Sequence, residues 1–185
     1  MEEMELIEKA KNQDMNAFRE LVDLYLPVVE RFAYQLGNRP GEVEDVTQEV
    51  FLRVYRFLDQ YHSAKFTTWL YKITLNVTRD AARKRSSDTR KVIKLKQERQ
   101  ETYAPTEHQV LQHEEDHILH ICIQKLDEKY RIPLVLYYFH DKKYDEIAEI
   151  MELTLSTVKT RLLRAKKLLK AAFEEEERKE GGYHG

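Results

Sequence analysis

Cysteine is nearly absent from the 185-residue chain. Cys122 stands alone, so no internal disulfide framework can form and a reducing, cytoplasmic setting is expected. Glycine and proline are scarce too, five and four residues, which removes the turn chemistry that a fold of many short strands requires. Long apolar runs are missing: Leu134 to Phe139 is among the longest, far short of a bilayer crossing, and nothing resembles a basic n-region followed by an apolar h-region. These gaps argue against a disulfide scaffold, a sheet-rich fold and membrane insertion. What is abundant is charge, 35% of residues beside 42% hydrophobic ones, the balance of a helical protein with one or two modest cores.

The apolar residues recur with helical period. Phe18, Leu21, Val22, Tyr25 and Val29 mark one helix, bent at Pro27 and continued by Phe32 and Leu36 to a stop at Gly37 and Asn38. Pro40 opens the next, where Val43, Val46, Val50, Val54 and Phe57 form a stripe that must face a core. Leu52 falls near the middle of the opposite face, ringed by Asp45, Gln48, Glu49 and Arg56; a lone exposed leucine there has no use in the fold. Tyr61 to Lys65 breaks the pattern as a short loop, and Phe66, Trp69, Leu70, Ile73 and Val77 resume it. Later helices are expected over Ile118 to Leu126, Glu128 to His140, and from Tyr144 onward. The prediction is an all-α protein of two small helical domains, residues 1–85 and 111–175, joined by a charged flexible linker over 86–110. Residues 176–185 are expected to be a disordered tail, since Glu174 to Glu177 opposes the helix dipole.

A net charge of -2 hides a strong asymmetry. Thr78 to Arg99 holds nine basic and three acidic residues, and Leu155 to Ala172 six basic and no acidic ones. Two basic blocks point to two contacts with a polyanion, nucleic acid above all, against the plainer alternative of solvated helix faces. In the second block Tyr144, Ile147, Ala148 and Met151 share one face, Glu152 to Thr154 turns the chain, Thr154 caps, and Val158, Leu162, Ala165 and Leu169 pack inward. This is the pattern of a helix-turn-helix. Ser156, Thr157, Lys159, Thr160, Arg161, Arg164 and Lys167 are then the candidate contacts to a duplex: short hydroxyls suit close approach, and arginine suits guanine edges or phosphates. In the first block Thr68, Lys72, Arg79 and Arg83 are expected to line a phosphate track, with Tyr61, His62, Trp69 and Tyr71 as flat surfaces beside it for unstacked bases.

Three strings, EVEDVTQEVFLRVYRF from Glu42, FTTWLYKITLNVTRDAARKR from Phe66 and LDEKYRIPLVLYYFHDKKYDEIAEIMELTLSTVKTRLLRAKKLL from Leu126, together resemble a bacterial RNA polymerase sigma factor of the extracytoplasmic-function group of the sigma-70 family. That resemblance implies a transcription initiation factor, not an enzyme, with no cofactor. Its partners would be core RNA polymerase, promoter DNA and an anti-sigma factor, often anchored in the membrane. It implies that Leu52, with Asp45, Gln48, Glu49 and Arg56, docks on a coiled coil of the polymerase. Tyr61, His62, Lys65, Trp69, Lys72, Asn76, Arg79 and Arg83 would capture the non-template strand of the minus-ten element. The helix from Leu155 to Lys170 would read the minus-thirty-five duplex. Family members commonly carry a small flexible residue, often glycine, where Ser156 stands. Exposed Leu52, Leu75 and Leu163 would suit masking by the anti-sigma factor.

Other readings use parts of the chain. Glu42, Glu44, Asp45 and Glu49 could bind Mg²⁺ in a nuclease, yet no convergent carboxylates or candidate base accompany them. A stand-alone helix-turn-helix regulator explains the second basic block and leaves Leu52 and Trp69 without a purpose. His113, His117 and His120 share a helical face at ligand spacing, but no fourth ligand joins them, so a solvated histidine face is expected and no metal. Cys122 reads as small core filler.

Overall fold

The computed structural model describes residues 2–62, 65–93 and 114–181. They form eight helices with no strand among them: α1 (Glu3–Lys11), α2 (Met15–Gln35), α3 (Pro40–Phe57), α4 (Phe66–Ile93), α5 (Glu114–Gln124), α6 (Glu128–Phe139), α7 (Tyr144–Met151) and α8 (Leu155–Gly181), with one 3-10 turn at Leu58–Gln60. The chain divides into two compact units, Met1–Tyr34 with Asn38–Thr102, and Gln35–Gly37 with Tyr103–Gly185.

In the first unit the expected stripes meet. Leu21 and Val29 of α2, Val46, Val50 and Val54 of α3, and Leu70, Ile73 and Val77 of α4 join one buried cluster that also takes Leu6 and Ile7 of α1. Each such side chain contributes roughly 1.5 to 3 kcal/mol on leaving water. Pro27 lies inside α2, which runs on past it. Pro40 stands in the first turn of α3, where its missing N–H costs nothing, and the Glu42 carboxylate accepts the Arg39 backbone N–H at 2.8 Å. Between α2 and α3, buried Asn38 donates its amide to the Ala33 carbonyl at 2.8 Å and to Thr78 Oγ1 of α4 at 3.2 Å.

Three expectations need correction. Phe57 is 40% exposed and does not belong to the stripe; the chain tightens into the 3-10 turn there, and Leu58 takes the inward position instead. Phe51 and Thr47 are buried as well, so the inner face of α3 is wider than the valines alone suggest. Residues 86–93, expected in the linker, continue α4, since no glycine or proline interrupts the chain between Phe66 and Ile93; the rest of that linker lies outside the described residues. Finally, α8 runs through the expected tail to Gly181. Arg178 and Lys179 occupy its last turn, where cations complement the dipole, and Glu176 pairs with Lys179 and with Lys125, the residue after α5. The glutamate run is therefore mid-helix and compensated. Residues 182–185 lie outside the described residues.

In the second unit Cys122, Ile132, Leu134, Val135, Leu136, Ile147, Val158, Leu162 and Ala165 are all buried. Cys122 is core filler, as read, and burial pushes its thiol pKa up. Asp127 caps α6, accepting from Lys129 N at 3.1 Å. The α7 to α8 turn is a Schellman motif: Leu153 N–H donates to the Ala148 carbonyl at 2.9 Å and Glu152 N–H to Glu149 at 3.3 Å. Glu152 sits at φ 54°, ψ 48°, the left-handed region, at a position that ordinarily favours glycine. Replacing a non-glycine there removes the Cβ clash but adds unfolded-state entropy. Glu152→Gly is expected to raise stability by about 0.5 to 1 kcal/mol, read as a higher urea midpoint at unchanged slope; an unchanged or lower midpoint would show the turn to be unstrained.

Candidate nucleic-acid interface

The outer face of α3 stays clear of the core because the valines commit the inner one. Leu52 is 58% exposed and stands among exposed Asp45, Gln48 and Arg56, with Glu49 at the edge. Tyr55, one turn on, is exposed too and meets the edge of Phe18 with ring centroids 5.1 Å apart; the sequence reading passed it over because a half-stacked aromatic falls on neither stripe. Arg53 links this helix to α4. Its guanidinium donates to Glu49 at 2.8 Å and to Asp80 at 3.1 Å, and Asp80 in turn accepts from Arg83 at 2.8 Å.

The loop after the 3-10 turn is anchored by aromatic packing. Tyr61 is 9% exposed, its ring 5.5 Å from Phe66 and 5.2 Å from Trp69, with Lys11 Nζ 5.4 Å from its centroid. Burial pushes its phenol pKa up. As a stacking surface for a base, Tyr61 is therefore corrected: it holds the loop down. Tyr71 is corrected likewise, being buried with its ring 4.8 Å from Phe32. Thr68, 2% exposed, is no part of a phosphate track, and Leu75, also 2%, is no exposed leucine. The common cause is that α4 is buried around most of its circumference between Phe66 and Thr78, so a single-stripe reading assigned too much of it to solvent. What remains open is His62, Lys65, Asn76 and Arg83, exposed, and Trp69, Lys72 and Arg79, half-buried. These seven line the end and one side of α4, and Ser63 and Ala64 lie outside the described residues.

In the second unit α7 packs on the inner face of α8, and Ser156, Lys159, Thr160, Leu163, Arg164 and Lys167 are exposed on the other side. Thr154 caps as expected: its Oγ1 accepts Thr157 N–H at 3.2 Å and lies 2.8 Å from the Thr157 hydroxyl. The Thr160 hydroxyl donates back to the Ser156 carbonyl at 3.1 Å. Both threonine hydroxyls are thus engaged with their own chain, and the arginines and lysines are the groups left to reach outward. A groove of about 320 Å³ runs beside them, lined by Ser156, Thr157, Thr160, Arg161 and Arg164 of α8 and by Lys129 and Tyr130 of α6. Lys129 and Tyr130 were missed because periodicity assigns them only to the start of another helix.

A model of sigma-70 region 2 matches residues 21–87, and one of sigma-70 region 4 matches residues 117–169. The ECF RNA polymerase sigma factor SigW of Bacillus subtilis strain 168 is 33% identical over 174 residues, a span of 89% of this chain and 92% of that protein. The chain belongs to the ECF RNA polymerase sigma factors. The sigma-E factor of Escherichia coli K12 is 30% identical over 173 residues, covering 89% of this sigma factor and 90% of that one. Solved structures share the fold. CnrH in complex with the cytosolic domain of CnrY has a TM-score of 0.69 at 24% identity, covering 92% and 96% of the two chains. The sigma factor RpoE of Bartonella quintana, bound to the anti-sigma factor NepR, has a TM-score of 0.69 at 21% identity, covering 85% and 96%.

Two of the remaining candidates in this sigma factor, Glu42 and Glu49, are held by its own contacts. Glu42, weighed as a Mg²⁺ ligand, holds the Arg39 N–H and Arg85 of α4, and Glu49 holds Arg53; Glu44 and Asp45 are solvated. His113 lies outside the described residues. His117 is exposed, and His120 is half-buried, with its pKa lowered by burial first and by His117 and Arg131 after it. Among the described residues no helix is long and apolar enough to cross a membrane.

The division between anchor and open loop is measurable. Tyr61→Ala should cost about 2 to 4 kcal/mol in urea unfolding, the range for emptying a packed aromatic site. His62→Ala, next door and solvated, should stay within about 0.5 kcal/mol. Equal effects at the two positions would mean that the loop is not anchored through Tyr61.

Proposed function

We propose that this sigma factor binds core RNA polymerase through the outer face of α3 and directs it to promoters by two different contacts with DNA. The first half of α8 reads the minus-thirty-five duplex. The loop after the 3-10 turn, with Trp69, Lys72, Asn76, Arg79 and Arg83 of α4, captures the unpaired minus-ten strand. The observation that carries this is the exposed face of α8. Ser156, Lys159, Thr160, Arg164 and Lys167 stand outward over buried Val158, Leu162 and Ala165, immediately after a three-residue turn, with no acid from Leu155 to Phe173. Such a helix suits a major groove and little else. His62 and Lys65 beside a half-buried tryptophan suit flipped or unstacked bases better than a duplex. Activity is proposed for the cytoplasm, where polymerase and promoter are, with an anti-sigma factor covering exposed Leu52 and Leu163 as the means of holding it inactive.

Run-off transcription by core polymerase with this sigma factor, on fragments of its host genome, tests the function directly: starts preceded by two recurrent upstream elements are expected, and starts indistinguishable from those of core enzyme alone would overturn it. Within that assay Leu52→Asp should weaken core polymerase binding by about 1 to 3 kcal/mol, as for losing a central apolar anchor and burying a charge. Its urea midpoint should hold, because the side chain is already solvated in the folded chain. A fluorescence titration against core polymerase that finds wild-type affinity would remove Leu52 from the interface.

A further inference from the structure

We propose that α1 is the positioning element of the strand-capture surface: Lys11 bears on the Tyr61 ring and Glu3 on the Tyr25 hydroxyl, and together they hold the aromatic cluster from which His62, Lys65 and Trp69 meet the unpaired strand. The proposal rests on the reading of that surface as the minus-ten capture site and adds the helix that sets it before DNA arrives. The cluster is four rings in contact. Tyr25 lies 5.2 Å from Phe66, Phe66 lies 5.5 Å from Tyr61 and 5.8 Å from Trp69, and Tyr61 lies 5.2 Å from Trp69, centroid to centroid. Tyr61 immediately precedes His62, and Phe66 immediately follows Lys65. The two exposed polar residues therefore hang from opposite ends of the cluster and move when its rings move.

Helices α2 and α4 supply three of these rings. The fourth, Tyr61, follows the 3-10 turn, and α1 packs on that turn, with Leu6, Ile7 and Ala10 buried in the same core as Leu58 and Tyr61. Two polar contacts of α1 complete the arrangement. Lys11 Nζ is 5.4 Å from the centroid of the Tyr61 ring and 3.0 Å from Glu8 Oε1, so a cation–π contact bears on the ring. The Tyr25 hydroxyl donates to the Glu3 carboxylate, and burial first, then that bond, push its pKa up. The Lys11 side chain is only 20% exposed and its charge is engaged within the chain, which suits a support for the ring better than a contact to a phosphate. A cluster fixed in advance spares strand capture the entropy of ordering it.

The test uses the full-length chain and its polymerase holoenzyme. Trp69 is the only tryptophan, so acrylamide quenching of its emission reports the cluster directly. Lys11→Met keeps the length of the side chain and removes its charge. It is expected to raise Trp69 quenching and to weaken holoenzyme binding to a single-stranded oligonucleotide, the non-template strand of a promoter located by run-off transcription, roughly two- to five-fold, the worth of an exposed cation–π contact. Lys11→Arg should restore both, and Glu3→Gln should show the same pattern at smaller size. Closed-complex affinity for the promoter duplex should stay at its wild-type value, whereas partial unfolding would lower both affinities alike. The slope of log single-strand affinity against log salt should also hold. A slope lowered by about 0.7 with unchanged Trp69 quenching would make Lys11 a phosphate contact and overturn the proposal, as would equal losses on single strand and duplex. Lys65→Ala separates the two levels. If it weakens single-strand binding while Lys11→Met leaves that binding unchanged, the positioning role alone fails; if both are silent, the reading of the capture surface fails with it.

Discussion

Everything outward in the first unit depends on the seam between α3 and α4, the most extensive helix pairing there. Val50 and Val54 are wholly buried, and a β-branched side chain on a helix has essentially one rotamer to offer. The roll of α3 about its axis is thereby fixed to within a few degrees of what the valines allow. Leu52, two residues from each, then has no route to the core, and a 58% exposed leucine becomes a property of the packing. Exposing one leucine is cheap compared with the burial of the opposite face. The same seam places the start of α4, and with it the Tyr61 anchor, at the end of the helix pair where the loop must open.

Electrostatics join the outward surfaces without burying charge. Glu49, Arg53, Asp80 and Arg83 form a chain of contacts from the α3 face to the basic side of α4. The side chains are between a quarter and three-quarters exposed, so each pair is worth little by itself. Its value is geometric. Arg53 spans two helices, and its pKa is raised chiefly by the hydrogen bond it donates to Glu49, so the guanidinium stays charged and fixed between surfaces that the proposed function assigns to protein and to DNA.

The helices, their order and most of the core were legible because apolar spacing at three and four residues is a strong local signal. The seam valines, the Thr154 cap, the helix-turn-helix and the exposure of Leu52 all follow from such spacing. What failed did so where one helix is buried on more than one side. Thr68, Tyr71 and Leu75 lie off the α4 stripe but inside the structure, and no single-face reading could distinguish them from solvent-facing positions. Helix ends were misplaced for other reasons: α4 runs on through exposed residues 86–90 because no glycine or proline interrupts it, and in α8 Glu176 pairs with Lys125, just past the end of α5, a partner distant in sequence that leaves no periodic trace. Lys129 and Tyr130 escaped because the groove they line exists only once α6 and α8 are folded together.

The fold also shows where stability gives way to purpose. Six cations from Lys159 to Lys170 with no acid between them repel one another, and helices gain when opposite charges alternate at three or four residues, as α8 itself does further on with Glu175, Glu176 and Lys179. The N-terminal half of α8 forgoes that gain. Val158, Leu162 and Ala165 must therefore hold down a surface that would be more stable with half its charges reversed. A polyanion laid against the face reverses the sign of that cost, releasing counterions as it binds. The same helix thus carries two charge designs. Under the proposed function its first half is completed only when DNA supplies the negative charge, and its second half is complete within the chain.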